Sequence, residues 1–155
     1  MAVHIFISHS VAPKELAIVN TVAEIAASKG GIPIISHRNW NPTATLPSYI
    51  ASQIDLSNYV IGIVTRNGHQ RDWVNAEIAY SKKANKPVLL IADANIRISP
   101  QYKAIRINRT APLKTISTVS AEIQRLISDE KTKNLVGGLV IGGLVLLLLT
   151  SLKGE

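Results

Sequence analysis

Between residues 72 and 80 the chain reads Asp72-Trp73-Val-Asn-Ala-Glu77-Ile-Ala-Tyr80. On a helix, Trp73, Glu77 and Tyr80 stand at i, i+4 and i+7, so one stripe carries an indole, a carboxylate and a phenol. The neighbouring stripe of Val74, Ile78 and Ser81 is apolar or small and suits packing on a sheet. One well-placed carboxylate can stabilise positive charge that develops in a reaction. It cannot by itself run an ordinary glycosidase, which needs a second carboxyl group to protonate the leaving alkoxide. Taken singly, a helical Glu is ordinarily solvated and a Trp ordinarily belongs to the core.

Other chemistries leave no trace. There is no GxGxxG after the first apolar run and no Walker A sequence, so neither a dinucleotide-binding Rossmann domain nor a P-loop NTPase is supported. No serine sits in a GxSxG elbow. The chain has no cysteine, which excludes disulfides, thiol nucleophiles, iron–sulfur clusters and Cys-based zinc sites. His4, His9, His37 and His69 show no metal-binding spacing, so neither a metal nor a resident cofactor is expected.

Short apolar runs alternate with amphipathic stretches along the first 127 residues. Val3–Ser8 reads as a strand, Pro13 opens a helix through Leu16, Val19, Ala23, Ala26 and Ala27, and Gly30-Gly31 ends it. Ile32–Ile35 is a second strand, followed by a loop from His37 to Pro47 and a short helix over Ser48–Leu56. Tyr59–Val64 is apolar on both faces, as a central parallel strand should be. Asp72 is placed to cap a helix running to about Ala84. Pro87–Ala92 and Ala104–Ile107 read as the fourth and fifth strands, and Leu113–Ile127 as the last amphipathic helix. This order implies an α/β fold, a doubly wound parallel sheet with helices on both faces. Ligands of such sheets bind beyond the carboxyl ends of the strands, near the topological switch point. The segments to watch are Ser8–Ala12, His37–Pro47, Thr65–Asp72 and Ala92–Asn95.

The 155 residues suffice for one domain of ordinary size, yet the 46% apolar fraction is unevenly spread. From Leu135 to Leu152 eighteen residues carry no charge, enough for a helix of about 27 Å against a hydrocarbon layer of about 30 Å. The run is apolar on every face, which a helix on a small domain's surface cannot be. Residues 135–152 are therefore expected to be a transmembrane helix in a lipid bilayer, joined by a polar linker over 128–134 to a domain over 1–127. Basic residues dominate the N-terminal flank, which places that domain in the cytoplasm. No signal peptide is visible at the start, so the segment reads as a tail anchor. Gly138 and Gly142 form a GxxxG pair that allows close helix association. The net charge of +7 has a ready explanation in an anionic membrane surface, and nucleic acid is not expected as a partner.

Four features in order resemble a prokaryotic TIR (Toll/interleukin-1 receptor) domain. They are His4-Ile-Phe-Ile-Ser-His-Ser10 as the opening strand, Arg38-Asn-Trp-Asn-Pro42 at the start of the BB loop, Trp73-Val-Asn-Ala-Glu77 as WxxxE, and Lys86-Pro-Val-Leu-Leu-Ile91 as the strand that follows. The resemblance implies a flavodoxin-like five-stranded sheet and cleavage of NAD⁺ between nicotinamide and ribose, with Glu77 catalytic. It yields nicotinamide and ADP-ribose or a cyclised variant, in microbial defence or signalling. Nicotinamide departs as a neutral molecule and needs no general acid, so a lone carboxylate suits it. Ser8, His9 and Ser10 are then candidates for ribose or phosphate contacts, Arg38 for the pyrophosphate, Trp40 or Leu46 for a lid over nicotinamide, and Trp73 for the pocket wall. Catalytic relatives assemble through other TIR domains, so a homo-oligomer is implied. Two further readings remain open: a non-catalytic TIR scaffold acting through homotypic contacts, and a nucleoside 2-deoxyribosyltransferase, which also uses a doubly wound sheet and a Glu.

Overall fold

A computed structural model describes residues 2–36, 45–69 and 71–142, with side chains described as far as residue 131. The elements follow in the order β1 (Val3–Ser10), a 3-10 turn at Pro13–Glu15, α1 (Leu16–Ser28), β2 (Gly31–Ile35), α2 (Ser48–Leu56), β3 (Tyr59–Val64), α3 (Arg71–Lys83), β4 (Val88–Asp93), β5 (Lys103–Ile107) and α4 (Pro112–Gly142). All five strands are parallel, in the order β2-β1-β3-β4-β5. The chain winds outward in opposite directions from β1 and β3, so the crevice at their carboxyl ends is the switch point.

Alternation along the strands decides which helix each side chain meets. Val3, Ile5 and Ile7 of β1, Ile61 and Ile63 of β3, and Ile91 of β4 pack with Val19, Val22 and Ala26 of α1 and Val119, Ile123 and Ile127 of α4. The even positions Phe6, Val60 and Leu90 pack instead with Ile50 and Ile54 of α2 and Trp73, Val74 and Ile78 of α3. Ser8, two residues beyond Phe6, faces the α3 side as well. Gly62, opposite Ser8 in register, lies on that same side. A Cβ at Gly62 would come 2.8 Å from Leu90 Cδ2 and 3.2 Å from Ile78 Cδ1, so its missing side chain lets α3 sit close to the sheet.

The elements depart from the expected bounds in two informative places. Asp72 lies inside the first turn of α3 rather than capping it, where a carboxylate still complements the helix dipole. Residues 128–134, read as a polar linker, are helical and continue α4 to Gly142. Glu130 shows why the turn is tied to the domain. Its carboxylate accepts a hydrogen bond from Asn58 Nδ2 at 3.0 Å, while Asn58 Oδ1 accepts the backbone N–H of His4 at 2.8 Å. No helix among the described residues is long and apolar enough to cross a membrane, and 143–152 of the apolar run lie outside the described residues.

Replacing Gly62 with Val should overpack the contact between α3 and the sheet. The expected cost is about 1–3 kcal/mol, read as a lower urea midpoint with unchanged m-value; an unchanged midpoint would contradict the close approach.

Candidate active site

Helix α3 faces inward along its aromatic stripe. Trp73 is buried and packs beside Phe6, Ile50 and Ile54. Tyr80 is half-buried, and its hydroxyl donates to the Asp55 carboxylate, 3.0 Å from each oxygen. The phenol therefore ties α3 to α2, while Glu77 between the two aromatics is 0% exposed. An ionised carboxylate removed from water costs several kcal/mol unless donors replace its hydration. Two are supplied from neighbouring strand ends. Ser8 Oγ donates to Glu77 Oε1 at 2.6 Å, and Ser36 Oγ donates to Oε2. Both serines are buried, and Ser36 extends β2 through its N–H, which donates to Ile7 O at 2.9 Å.

The two hydrogen bonds hold both oxygens of one carboxylate in a fixed orientation at the carboxyl ends of β1 and β2, beside the switch point. Among the described residues, no group of His, Asp and Glu is arranged to hold a metal ion. The arrangement can present an oriented negative charge, or hydrogen-bond acceptors, to a group entering the crevice.

The remaining candidates separate. Ser10 Oγ donates to His69 O at 2.6 Å, and Ser10 O accepts the N–H of Thr65 at 3.1 Å, so Ser10 fastens the turn after β3. That turn is tight against β1, since a Cβ on Gly68 would lie 2.0 Å from Ser10 O. His9 is half-buried, and strand alternation turns it away from the face that carries Ser8. Leu46 is half-buried and packs on the cluster that holds Trp73. Arg38 and Trp40 lie outside the described residues. Of Ser8, His9 and Ser10, the structure thus joins Ser8 to Glu77. It adds Ser36, which the sequence reading missed. The available signal was parity: Ser36 follows Ile34 on the α3 side of β2.

A second polar network occupies the same edge beyond β3 and β4. Arg109 Nε and Nη2 each donate to one Asp93 oxygen at 2.7 Å, and Nη2 also meets Glu15 Oε2 at 2.8 Å. Thr65 Oγ1 donates to Glu15 Oε1 at 2.9 Å, and the backbone N–H of Arg66 donates to Asp93 Oδ2 at 2.7 Å. Burial pushes the Glu15 carboxyl up, but the hydrogen bonds from Arg109 and Thr65 outweigh it and hold it below the usual carboxylate range. The Arg109 guanidinium, against the opposing effect of burial, does the same for Asp93, with the Arg66 N–H adding to it. Arg109 is raised in turn, chiefly by Asp93 and then by Glu15.

Residues 6–97, more than half of the chain, match the family described as "Thoeris protein ThsB, TIR-like domain". No curated protein sequence matches. Among solved structures, the sugar isomerase domain of an RpiR transcription factor from Sphaerobacter thermophilus is similar in fold, with a TM-score of 0.53 and 13% identity over 86% of this chain and 79% of that one. A prokaryotic SEFIR domain aligns with a TM-score of 0.46 and 16% identity, over 81% of this chain and 99% of that one.

Because Glu15 and Asp93 titrate lower folded than unfolded, they stabilise the fold above their ordinary values near pH 4. That stability is lost as the pH falls through their folded values. Arg109→Gln should cost about 2 kcal/mol or more at pH 7 by leaving two buried carboxylates without their cation. Urea midpoints at pH 7, 4 and 3 should show the gap to wild type closing on acidification. A gap that does not change with pH would contradict the linkage.

Proposed function

The chain belongs to the TIR-like domain family of the Thoeris protein ThsB, and from that premise we propose that it is a membrane-anchored NAD⁺ nucleosidase acting through Glu77 in a microbial defence or signalling pathway. The observation that carries the reading is the buried Glu77 carboxylate, held on both oxygens by Ser8 and Ser36 at the strand ends beside the switch point. The bond between the nicotinamide nitrogen and ribose C1 breaks, and its electron pair neutralises the pyridinium ring as nicotinamide leaves. Positive charge grows on the ribose, and the oriented carboxylate stabilises it or holds the ribose hydroxyls. Attack by water, with loss of one proton, gives ADP-ribose; attack by a nucleophile within the same molecule gives a cyclised product. The serines act as positioning residues that fix the carboxylate before charge develops.

The anchor in this proposal is the apolar run over 135–152, entered from α4, with the domain on the cytoplasmic side. Confinement to a bilayer raises the local concentration of domains and favours a homo-oligomer. One observation favours a second reading, the non-catalytic TIR scaffold: Glu77 has no exposed surface and both of its oxygens already accept bonds.

Nicotinamide release from NAD⁺ by the concentrated protein separates the two. Glu77→Gln should lower the rate by about 100-fold or more. Full activity in that variant removes Glu77 from the mechanism, and an inactive wild type, even clustered on vesicles, leaves the scaffold. For the anchor, an alkaline carbonate wash should leave the intact chain with membranes and release a chain ending at Lys133. Release of both would return the apolar run to a buried role.

A further inference from the structure

On the far side of the switch point the carboxyl edge opens into a cavity of about 820 Å³ between β4, β5 and the start of α4, with Glu77 not among its walls. Four cationic side chains line it, Arg66, Arg106, Arg109 and Lys114, against one carboxylate, Asp93. That carboxylate is committed inward: both oxygens accept from Arg109, and one accepts from the Arg66 backbone. Arg109 is met by both Asp93 and Glu15, so the positive excess of the opening comes from Arg66, Arg106 and Lys114.

Two of the cations are already ordered. Arg106 Nη1 donates to Asp93 O at 2.9 Å and to Ile96 O at 2.6 Å, which fixes the guanidinium plane. Its Nε and Nη2 have no hydrogen-bond partner among the described residues. Arg109 is held by Asp93 and Glu15. A ligand meeting them spends little ordering entropy. The Nε and Nη2 edge of Arg106 can match two phosphate oxygens, since its backbone contacts use Nη1 alone, and Lys114 adds a point charge from α4. The excess of cations over carboxylates suits a ligand that carries more than one negative charge. The volume lies in the range of small-molecule sites, and Ala104 adds a small apolar wall.

We propose that this cavity is a binding site, separate from Glu77, for a small polyanion carrying adjacent phosphates, the chemistry shared by nucleoside diphosphates and inorganic pyrophosphate. The site rests on the cavity and its charges, independent of the NAD⁺ reading.

Calorimetric titration of the full chain with ADP, pyrophosphate and adenosine tests it. Both anions should bind saturably and adenosine should not, with affinity falling as salt rises from about 50 to about 300 mM. Tighter binding of ADP assigns a nucleotide as occupant, and equal binding assigns the inorganic anion; either supports the site. The double substitution Arg66→Gln with Lys114→Gln, which removes no side-chain hydrogen bond of the fold, should weaken both anions about tenfold or more. Glu77→Gln should bind them as wild type does. The proposal is overturned by no saturable anion binding up to about 10 mM, by equal binding in the double variant, or by loss of binding in Glu77→Gln, which would place the anion at the other site.

Discussion

A carboxylate with no exposed surface sets the terms for the rest of this structure. Glu77 sits where an apolar side chain would pack without penalty, so its burial must be met by donors at fixed positions. Those donors are serine hydroxyls at the ends of two adjacent strands, and each is there through strand parity. A slip of one residue in β1 would send Ser8 to the face of α1 and α4 and bring His9 beneath α3. The height of α3 above the sheet matters equally. Gly62 lets Ile78 settle close to the strands, and Trp73 wedges the helix against Phe6 and α2. Register, packing and the polar contact thus form one requirement.

Much of the fold was legible because it rests on local chemistry. Alternating runs and helical periods located all five strands, the first three helices and the start of the fourth within a few residues, since burial on both faces of a parallel sheet leaves a continuous apolar signature in β3 and β4. The last helix was the exception. The polar stretch Ser128–Lys133 reads as a linker because nothing local reveals that Glu130 bonds Asn58, 72 residues away.

The site was legible only in part, for the same reason. WxxxE marked Glu77 because its spacing is local to one helix. Ser36 lay unmarked among loop-like residues, 41 positions from the carboxylate it binds. Ser8, His9 and Ser10 looked alike as a string; alternation turns His9 to the opposite face, and Ser10, on the same face as Ser8 but at the end of β1, bonds the turn after β3 instead of Glu77. The network of Glu15, Thr65, Asp93 and Arg109 left no sequence signal, since its members come from four separate segments.

The two polar groups on the carboxyl edge solve burial in opposite ways. Asp93 and Glu15 are met by a guanidinium, which cancels much of their charge and leaves the surrounding cations dominant. Ser8 and Ser36 meet Glu77 with hydroxyl dipoles, which fix the orientation of both of its oxygens. The turn from Thr65 to Gly68 keeps the two regions apart, pinned to β1 through Ser10 on one side and to Asp93 through the Arg66 N–H on the other.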